Sequence, residues 1–174
     1  MLGYTFHHNL IRKYVAIFGT LFNDVFIMRT DGVEETAQHF QVPISYGPRE
    51  KFLAMLKQKP DSKRQAIILP RMSFEITGLQ YDAARRDIRS NKIFDTATKN
   101  IIYSPVPYNI SFQLNIMVKQ SLDGTKIVEQ ILPFFVPDWT IEAKLLDDSE
   151  KTWDIPIVYQ GIQHQDMYEA DFVE

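Results

Sequence analysis

Residues 128–137 have the sequence VEQILPFFVP, and the prediction of the fold starts from this stretch. Its apolar residues, together with the one before it, recur at about 3.6 residues per turn, so they form one helical stripe rather than the two faces of a strand. The stripe consists of Ile127, Val128, Ile131, Leu132 and Phe135. Pro133 lacks a backbone N–H and disfavours helical geometry at the preceding residue. We therefore predict a core-facing helix that ends near Leu132, followed by an irregular exit through Phe134 and Phe135.

Alternating apolar residues predict strands on both sides of this helix. Residues 108–118 alternate between apolar and polar side chains, which is the clearest strand pattern in the chain. Asp123 lies in the turn between this strand and the helix and is the expected N-cap. Residues 139–145 and 153–161 also alternate and flank a polar turn. We expect these two strands to form a β-hairpin.

The N-terminal part of the chain adds two helices and three strands. Residues 7–22 carry an apolar stripe that is too wide for one helix face. This first helix is expected to be buried on two sides, either between a sheet and another helix or against a neighbouring subunit. Pro43 places the predicted strand 38–46 at a sheet edge or a bulge. The other predicted elements are strands at 25–28 and 67–79 and a helix at 48–59.

The order of these elements predicts an α+β fold. A helix followed by two strands occurs three times, which is typical of a mostly antiparallel β-sheet flanked by about three helices. A length of 174 residues suits one domain spanning 1–174, in which folding buries roughly 70% of the surface of the unfolded chain. Two segments stand apart from this pattern. They are a long loop or arm at 81–100 and an acidic C-terminal tail at 164–174.

The composition excludes several classes of protein. The absence of cysteine removes disulfides, thiol nucleophiles and cysteine-based zinc sites. No apolar run reaches the roughly 20 residues of a membrane span, so we expect a soluble intracellular protein without a membrane partner. The net charge of -3 disfavours a protein whose main task is to coat nucleic acid. Aromatic residues make up 13% of the chain and serve either its core or its interfaces.

Catalysis and cofactor binding find no support in the sequence. His7 and His8 are adjacent, so their side chains diverge on a helix, and no carboxylate lies three or four residues away to complete a metal site. Ser45 is not in a G-x-S-x-G elbow, and the glycines never form a nucleotide-binding motif. We therefore predict that the protein is not an enzyme and that it has no catalytic, metal-binding or cofactor-binding residues.

The sharpest charged feature is a basic cluster in the segment 81–100. It consists of Arg85, Arg86, Arg89 and Lys92. Three interpretations are open: a solvated loop, a contact with an acidic protein neighbour, or a contact with nucleic acid that passes nearby. The C-terminal tail offers complementary charge if copies of the chain pack side by side. The acidic residues of this tail include Asp166, Glu169 and Asp171.

A series of short stretches, taken in order along the chain, points to a family. The stretches are Gly3-Tyr4 with Arg12-Lys13-Tyr14, Val42-Pro43-Ile44-Ser45-Tyr46 followed by Lys51-Phe52, Ile68-Leu69-Pro70-Arg71, and Val128-Glu129-Gln130-Ile131-Leu132-Pro133 followed by an aromatic residue and Pro137. The series resembles the tail sheath stabilisation and completion proteins of contractile-tailed bacteriophages, part of the tail-terminator group. Chains of that family continue past the position of Glu174, so this chain is expected to be a shorter relative or a fragment.

The resemblance implies a structural role in the virion and a tail-terminator-like fold. The implied assembly is a homohexameric ring that caps the tail tube and the sheath, stabilises the extended sheath and joins the tail to the neck of the head. The implied partners are further copies of the chain, tail sheath subunits, the tail tube or a tube-terminating protein, and neck proteins, with nucleic acid only passing through the channel. The location is the head-proximal end of the tail, after assembly in the host cytoplasm.

Two aromatic residues become candidates for partner contacts under this interpretation. Phe134 and Trp139 lie where the chain leaves the helix irregularly and can meet a neighbour. Proline-marked edge strands can in addition accept a strand from a sheath subunit. The alternative function is a small non-catalytic adaptor domain that binds other proteins.

Overall fold

The computed structural model describes residues 7–30, 37–57, 68–88, 90–94, 99, 101–136, 138–146 and 151–165. In these ranges the elements are α1 (Leu10–Leu21), β1 (Phe26–Thr30), β2 (Ala37–Gln41), β3 (Ile44–Tyr46), α2 (Arg49–Lys57), β4 (Arg71–Tyr81), β5 (Lys92–Phe94), β6 (Ile101–Tyr103), β7 (Tyr108–Met117), α3 (Ser121–Ile131), β8 (Asp138–Ala143) and β9 (Trp153–Val158). The predicted α+β class is confirmed. None of the helices described is long and apolar enough to span a membrane.

The described strands form four small sheets in which antiparallel pairing dominates. The largest has the order β3-β4-β7, and the others are the pairs β1-β2, β5-β6 and β8-β9. In the largest sheet β4 and β7 are antiparallel, with one register shift between Ile76 and Gly78. β3 is parallel to β4. The predicted strand at 108–118 and the predicted hairpin after the third helix are confirmed by β7 and by the antiparallel pair β8-β9.

The prediction of one strand over residues 38–46 is wrong, because the chain changes partner at Pro43. The Val42 N–H donates to the Val25 carbonyl at 2.8 Å, which extends the pairing of β2 with β1. Pro43 has no N–H to donate, and its carbonyl accepts from the Met72 N–H at 2.9 Å instead. The chain therefore leaves β1 and starts a parallel pairing with β4 within two residues.

The core lies between α1, α3 and one face of the β3-β4-β7 sheet. Phe18 of α1 stacks on Phe112, with ring centroids 4.4 Å apart, and its ring also contacts Phe74 at 5.1 Å. Ile127 of α3 is fully buried in the same cluster. Ile11 lies on the same face of α1 as Phe18 but near the N-terminal end of the helix, where it is more than half exposed.

The end of α3 agrees with the prediction, but its start does not. The helix stops at Ile131, and a 3₁₀ turn follows over Leu132–Phe134, as the position of Pro133 requires. Asp123 is not the N-cap, which is Gln120 without a side-chain hydrogen bond. Asp123 lies in the first turn, where it is 2% exposed and pairs with Arg29 of β1 at 2.5 Å. The carboxylate therefore joins α3 to β1 instead of capping the helix.

Candidate functional site

The first candidate surface is the arm, which we define as residues 79–108. It contains the outer ends of β4 and β7 and the hairpin β5-β6, and none of the core residues comes from it. Exposed large apolar residues are concentrated here: Leu79, Tyr81, Ile88, Phe94, Ile101, Tyr103, Val106 and Tyr108. Exposed apolar surface gathered in one place is typical of a protein interaction site.

One face of the β5-β6 hairpin carries three exposed apolar side chains and a cation. Phe94 lies opposite Ile101, and Lys92 lies opposite Tyr103. Successive residues of a strand point to opposite faces, so these four side chains share one face. The ammonium group of Lys92 lies 5.6 Å from the centroid of the Tyr103 ring, a distance that permits a cation–π contact. We call this surface the hairpin face: three apolar side chains with one cation among them.

Two carboxylates hold the root of the arm, by which we mean the segments that connect the hairpin to β4 and β7. Asp82 accepts from the Ala84 N–H at 3.0 Å and from Arg85 Nε at 2.6 Å. The hydrogen bond from Arg85 is the largest of the effects that hold the pKa of Asp82 below its usual range. The second guanidinium nitrogen of Arg85 binds the side chain of Asn109, which belongs to β7. Arg85 therefore ties the two sides of the root together, and its charge is partly neutralised by Asp82.

Asp87 makes the second connection. Its carboxylate accepts from the Ser104 hydroxyl at 2.7 Å, from Asn91 Nδ2 at 2.9 Å and from the Ile88 N–H at 2.7 Å. These three hydrogen bonds, with that from Ser104 the largest, lower the pKa of Asp87. They link the segment before β5 to the segment after β6, so the hairpin has a defined base.

The second candidate surface is the groove, a cavity of about 400 Å³ at the C-terminal ends of α1 and α3. Trp139 of β8 is at its centre, stacked on Phe134 with ring centroids 5.0 Å apart. The rings of Phe22 and Phe135 meet Trp139 edge-on at 6.4 Å and 5.9 Å. The groove is lined by Leu21, Phe22, Asp24, Val25, Gln130, Ile131, Phe134 and Trp139.

Hydrogen bonds between α3 and β1 fix one wall of the groove. Gln130 Nε2 donates to the Phe26 carbonyl at 2.8 Å, and Lys126 Nζ donates to the Met28 carbonyl at 3.1 Å. The ion pair between Arg29 and Asp123 connects the same two elements further along. Asp24, the acidic residue of the lining, is exposed, and no described side chain forms an ion pair or a hydrogen bond with its carboxylate. The groove is thus an apolar cavity with one wall held by hydrogen bonds and one exposed carboxylate, Asp24, in its lining.

The structure separates the contact residues that the sequence predicted. Phe134 and Trp139 lie together in the groove. Arg85 belongs to the root of the arm, the side chain of Arg86 is exposed, and Lys92 lies on the hairpin face. Arg89 and the tail residues Asp166, Glu169 and Asp171 lie outside the described residues.

Sequence analysis missed Asp24 and the apolar residues of the hairpin face. The signal for the hairpin was present, since the apolar pair Ile93-Phe94 and the triplet Ile101-Ile102-Tyr103 flank a polar stretch. No described group of three or more His, Asp or Glu residues is placed to hold a metal ion.

Comparison with known proteins identifies the family. The family model described as T4-like virus Myoviridae tail sheath stabiliser matches residues 5–174. The tail completion protein gp15 of Enterobacteria phage T4 is 27% identical over 182 residues, an alignment that covers 98% of this chain and 66% of that protein. The chain thus spans just under two thirds of the length of this relative. The family model covers almost the whole chain, and the resemblance found in the sequence is confirmed: the chain belongs to the tail sheath stabiliser family of T4-like viruses.

Proposed function

We propose that this chain is a structural, non-enzymatic protein of a contractile phage tail that completes the tail and stabilises its extended sheath. The observation that carries the proposal is the match to the tail sheath stabiliser family from residue 5 to residue 174. The name of the T4 relative, a tail completion protein, supports the same role. In its full form the proposal is a homohexameric ring of single-domain subunits at the head-proximal end of the virion tail.

The two apolar surfaces support assembly into a ring. The arm and the groove are different parts of the chain, and each exposes apolar side chains that water would otherwise contact. An interface between two different surfaces is heterologous, and repeated heterologous contacts close into a ring when the rotation between subunits permits it. The exposed side chain of Ile11, near the start of α1, adds a further apolar contact for a neighbouring subunit.

Electrostatic pairing between copies is a further part of the proposal. The basic residues Arg86 and Arg89 of one copy meet the acidic tail of the next, which contains Asp166, Glu169 and Asp171. Arg85 already pairs with Asp82, so Arg86 is the sharper position for a test. Reversing the charge at Arg86 should weaken self-assembly in a salt-sensitive way, whereas assembly that is unchanged at low salt would remove this contact.

The proposed partners outside the ring are the sheath, the tube and the neck. Among the described strands, β7 lies at an edge of the largest sheet and is ten residues long, a length that suits the addition of a strand from a sheath subunit through main-chain hydrogen bonds. The tail tube or a tube-terminating protein lies below the ring and neck proteins lie above it. Nucleic acid only passes through the channel, and assembly takes place in the host cytoplasm.

Negative-stain microscopy of the full chain, alone and mixed with assembled sheath, tests the proposal. We expect rings with a central hole, bound at one end of extended sheaths that then resist contraction. A matched sample of sheath without the chain provides the baseline for contraction. Particles without a hole that leave the sheath unchanged would contradict the proposal and would favour a monomeric adaptor domain.

A further inference from the structure

We propose that the β5-β6 hairpin of one copy of the chain seats its face in the groove of a neighbouring copy. This inference rests on the proposed function, because it assigns the contact that joins subunits in the ring. It names the occupant of the groove as a second copy of this chain. It also gives separate roles to Lys92, Phe134 and Trp139, which the sequence had grouped only as general contact residues.

No residue in the described part of the chain covers the hairpin face. Phe94, Ile101 and Tyr103 are between 59% and 65% exposed and lie side by side on this face. Ile93, on the opposite face, is half-buried. The apolar side chains that remain in water are therefore those of one flat surface, and covering such a surface is favourable in proportion to its area.

The geometry of β4 and β7 separates the arm of one copy from its own groove. Phe74 and Phe112 belong to the core beside Phe18, whereas Tyr81 and Tyr108 pair at the far end of the same two strands. Seven residues separate Phe74 from Tyr81, which corresponds to roughly 24 Å at about 3.4 Å per residue. The hairpin follows beyond that point in the chain, and among the described elements the main contacts of β5 and β6 are with each other rather than with the core. A neighbouring copy is the occupant that this geometry favours.

The hairpin face and the groove are complementary in chemistry. The groove offers the rings of Phe134 and Trp139 to the aromatic and aliphatic side chains of the hairpin, and aromatic rings gain from offset or edge-on contacts with one another. Its volume of about 400 Å³ is in the range that receives a compact group of side chains. The exposed carboxylate of Asp24 in the lining is complementary in charge to the ammonium group of Lys92 on the hairpin face.

Disulfide trapping tests this contact directly, because the chain contains no cysteine and gives no background cross-links. The test variant carries Ile101→Cys on the hairpin face and Phe134→Cys in the groove, two exposed positions. Mild oxidation should produce a ladder of cross-linked species on a non-reducing gel, because each copy is linked to the next. The control variant carries Ile101→Cys with Ile162→Cys, an exposed residue outside the lining of the groove, and should not give a ladder above the level of chance collision.

A charge exchange provides an independent test that leaves the apolar contacts intact. Asp24→Lys and Lys92→Asp change exposed residues, so folding should be preserved. Each single change should raise the concentration for half-assembly by about threefold to tenfold, since it places like charges opposite each other. The double exchange should restore assembly to within about threefold of the original chain. Single changes without effect, or a double exchange that is worse than either single change, would contradict the pairing.

The outcomes distinguish the inference from the function on which it rests. If the original chain forms rings but the test pair gives no more ladder than the control pair, the hairpin does not occupy the groove and the proposed function stands. If the original chain forms no ring and neither pair gives a ladder, both proposals fail. A ladder from the test pair together with rescue by the double charge exchange supports the contact between copies.

Discussion

Removing Arg29 should destabilise the protein more than neutralising Asp123, although Asp123 is the buried member of the pair. Asp123 is 2% exposed, whereas the Arg29 side chain is 41% exposed and lies 2.5 Å from it. Arg29→Met keeps much of the packing of the long side chain but leaves a buried carboxylate without its cation. Breaking a fully buried pair in this way costs about 3–5 kcal/mol, and the partial exposure of Arg29 reduces the expected cost to about 2–3 kcal/mol.

Asp123→Asn has a smaller expected cost because water can solvate the guanidinium group that remains. The amide oxygen still accepts a hydrogen bond from Arg29, so only the charge-assisted part of that bond is lost, about 1 kcal/mol. Replacing both partners with Arg29→Met and Asp123→Leu removes the buried charge together with its cation. We expect this double variant to recover most of the loss, since apolar replacement of a buried pair is often close to neutral.

Urea unfolding followed by circular dichroism measures these free energies on the full chain. All four proteins should be compared at one low concentration at which they are monomeric, because assembly adds concentration-dependent stability. The reasoning is refuted if Asp123→Asn costs as much as Arg29→Met, or if the double variant is less stable than Arg29→Met alone. A confirmed order would show that the connection between α3 and β1, which supports the groove, depends on charge compensation.

Three further predictions concern the core and the arm. Ser73 is fully buried, and no residue that the structure describes forms a hydrogen bond with its hydroxyl. Ser73→Ala should therefore leave the unfolding free energy unchanged or raise it by up to about 1 kcal/mol, and a loss in urea unfolding would mean that the hydroxyl is satisfied after all. A Cβ at Gly19 would lie 3.2 Å from the packed ring of Phe74, so Gly19→Ala should lower the free energy of unfolding by about 1–2 kcal/mol, although alanine has the better helix propensity. A higher free energy of unfolding in urea would show that the ring can move. The pKa of Asp87 is lowered by its hydrogen bonds, so the base of the hairpin should persist as pH falls through the usual carboxyl range and loosen only at the lower folded-state pKa. The amide chemical shift of Ile88 during an acid titration measures this transition. A transition at the usual carboxyl pKa would contradict the prediction.

The elements that the sequence predicted well are those set by local signals. Pro133 ends α3 through the loss of one backbone donor, and that effect does not depend on the rest of the fold. The strict alternation along β7 and the hairpin of β8 and β9 are also visible within short windows. The family was identified from the same kind of information, an ordered set of short stretches, of which the α3 segment is the most specific.

The features that the sequence did not predict depend on residues far apart in the chain. Asp123 is of a residue type preferred at N-caps, but its position is decided by the ion pair with Arg29, which is 94 residues away in the sequence. The change of partner at Pro43 depends on where β4 lies. The groove combines the ends of α1 and α3 with β8, so no single stretch shows it. The β5-β6 hairpin was difficult to predict for another reason. Each of its strands is only three residues long, and an alternating pattern needs a longer window to be recognised.

The mass of the assembled particle tests the central proposal most directly. Light scattering coupled to size-exclusion chromatography should be run on the full chain over a range of concentrations. We expect a species of about six times the chain mass of 20.3 kDa that persists on dilution into the low micromolar range. A particle that stays at the mass of one chain at every concentration would contradict the ring and, with it, the proposed contact between arm and groove.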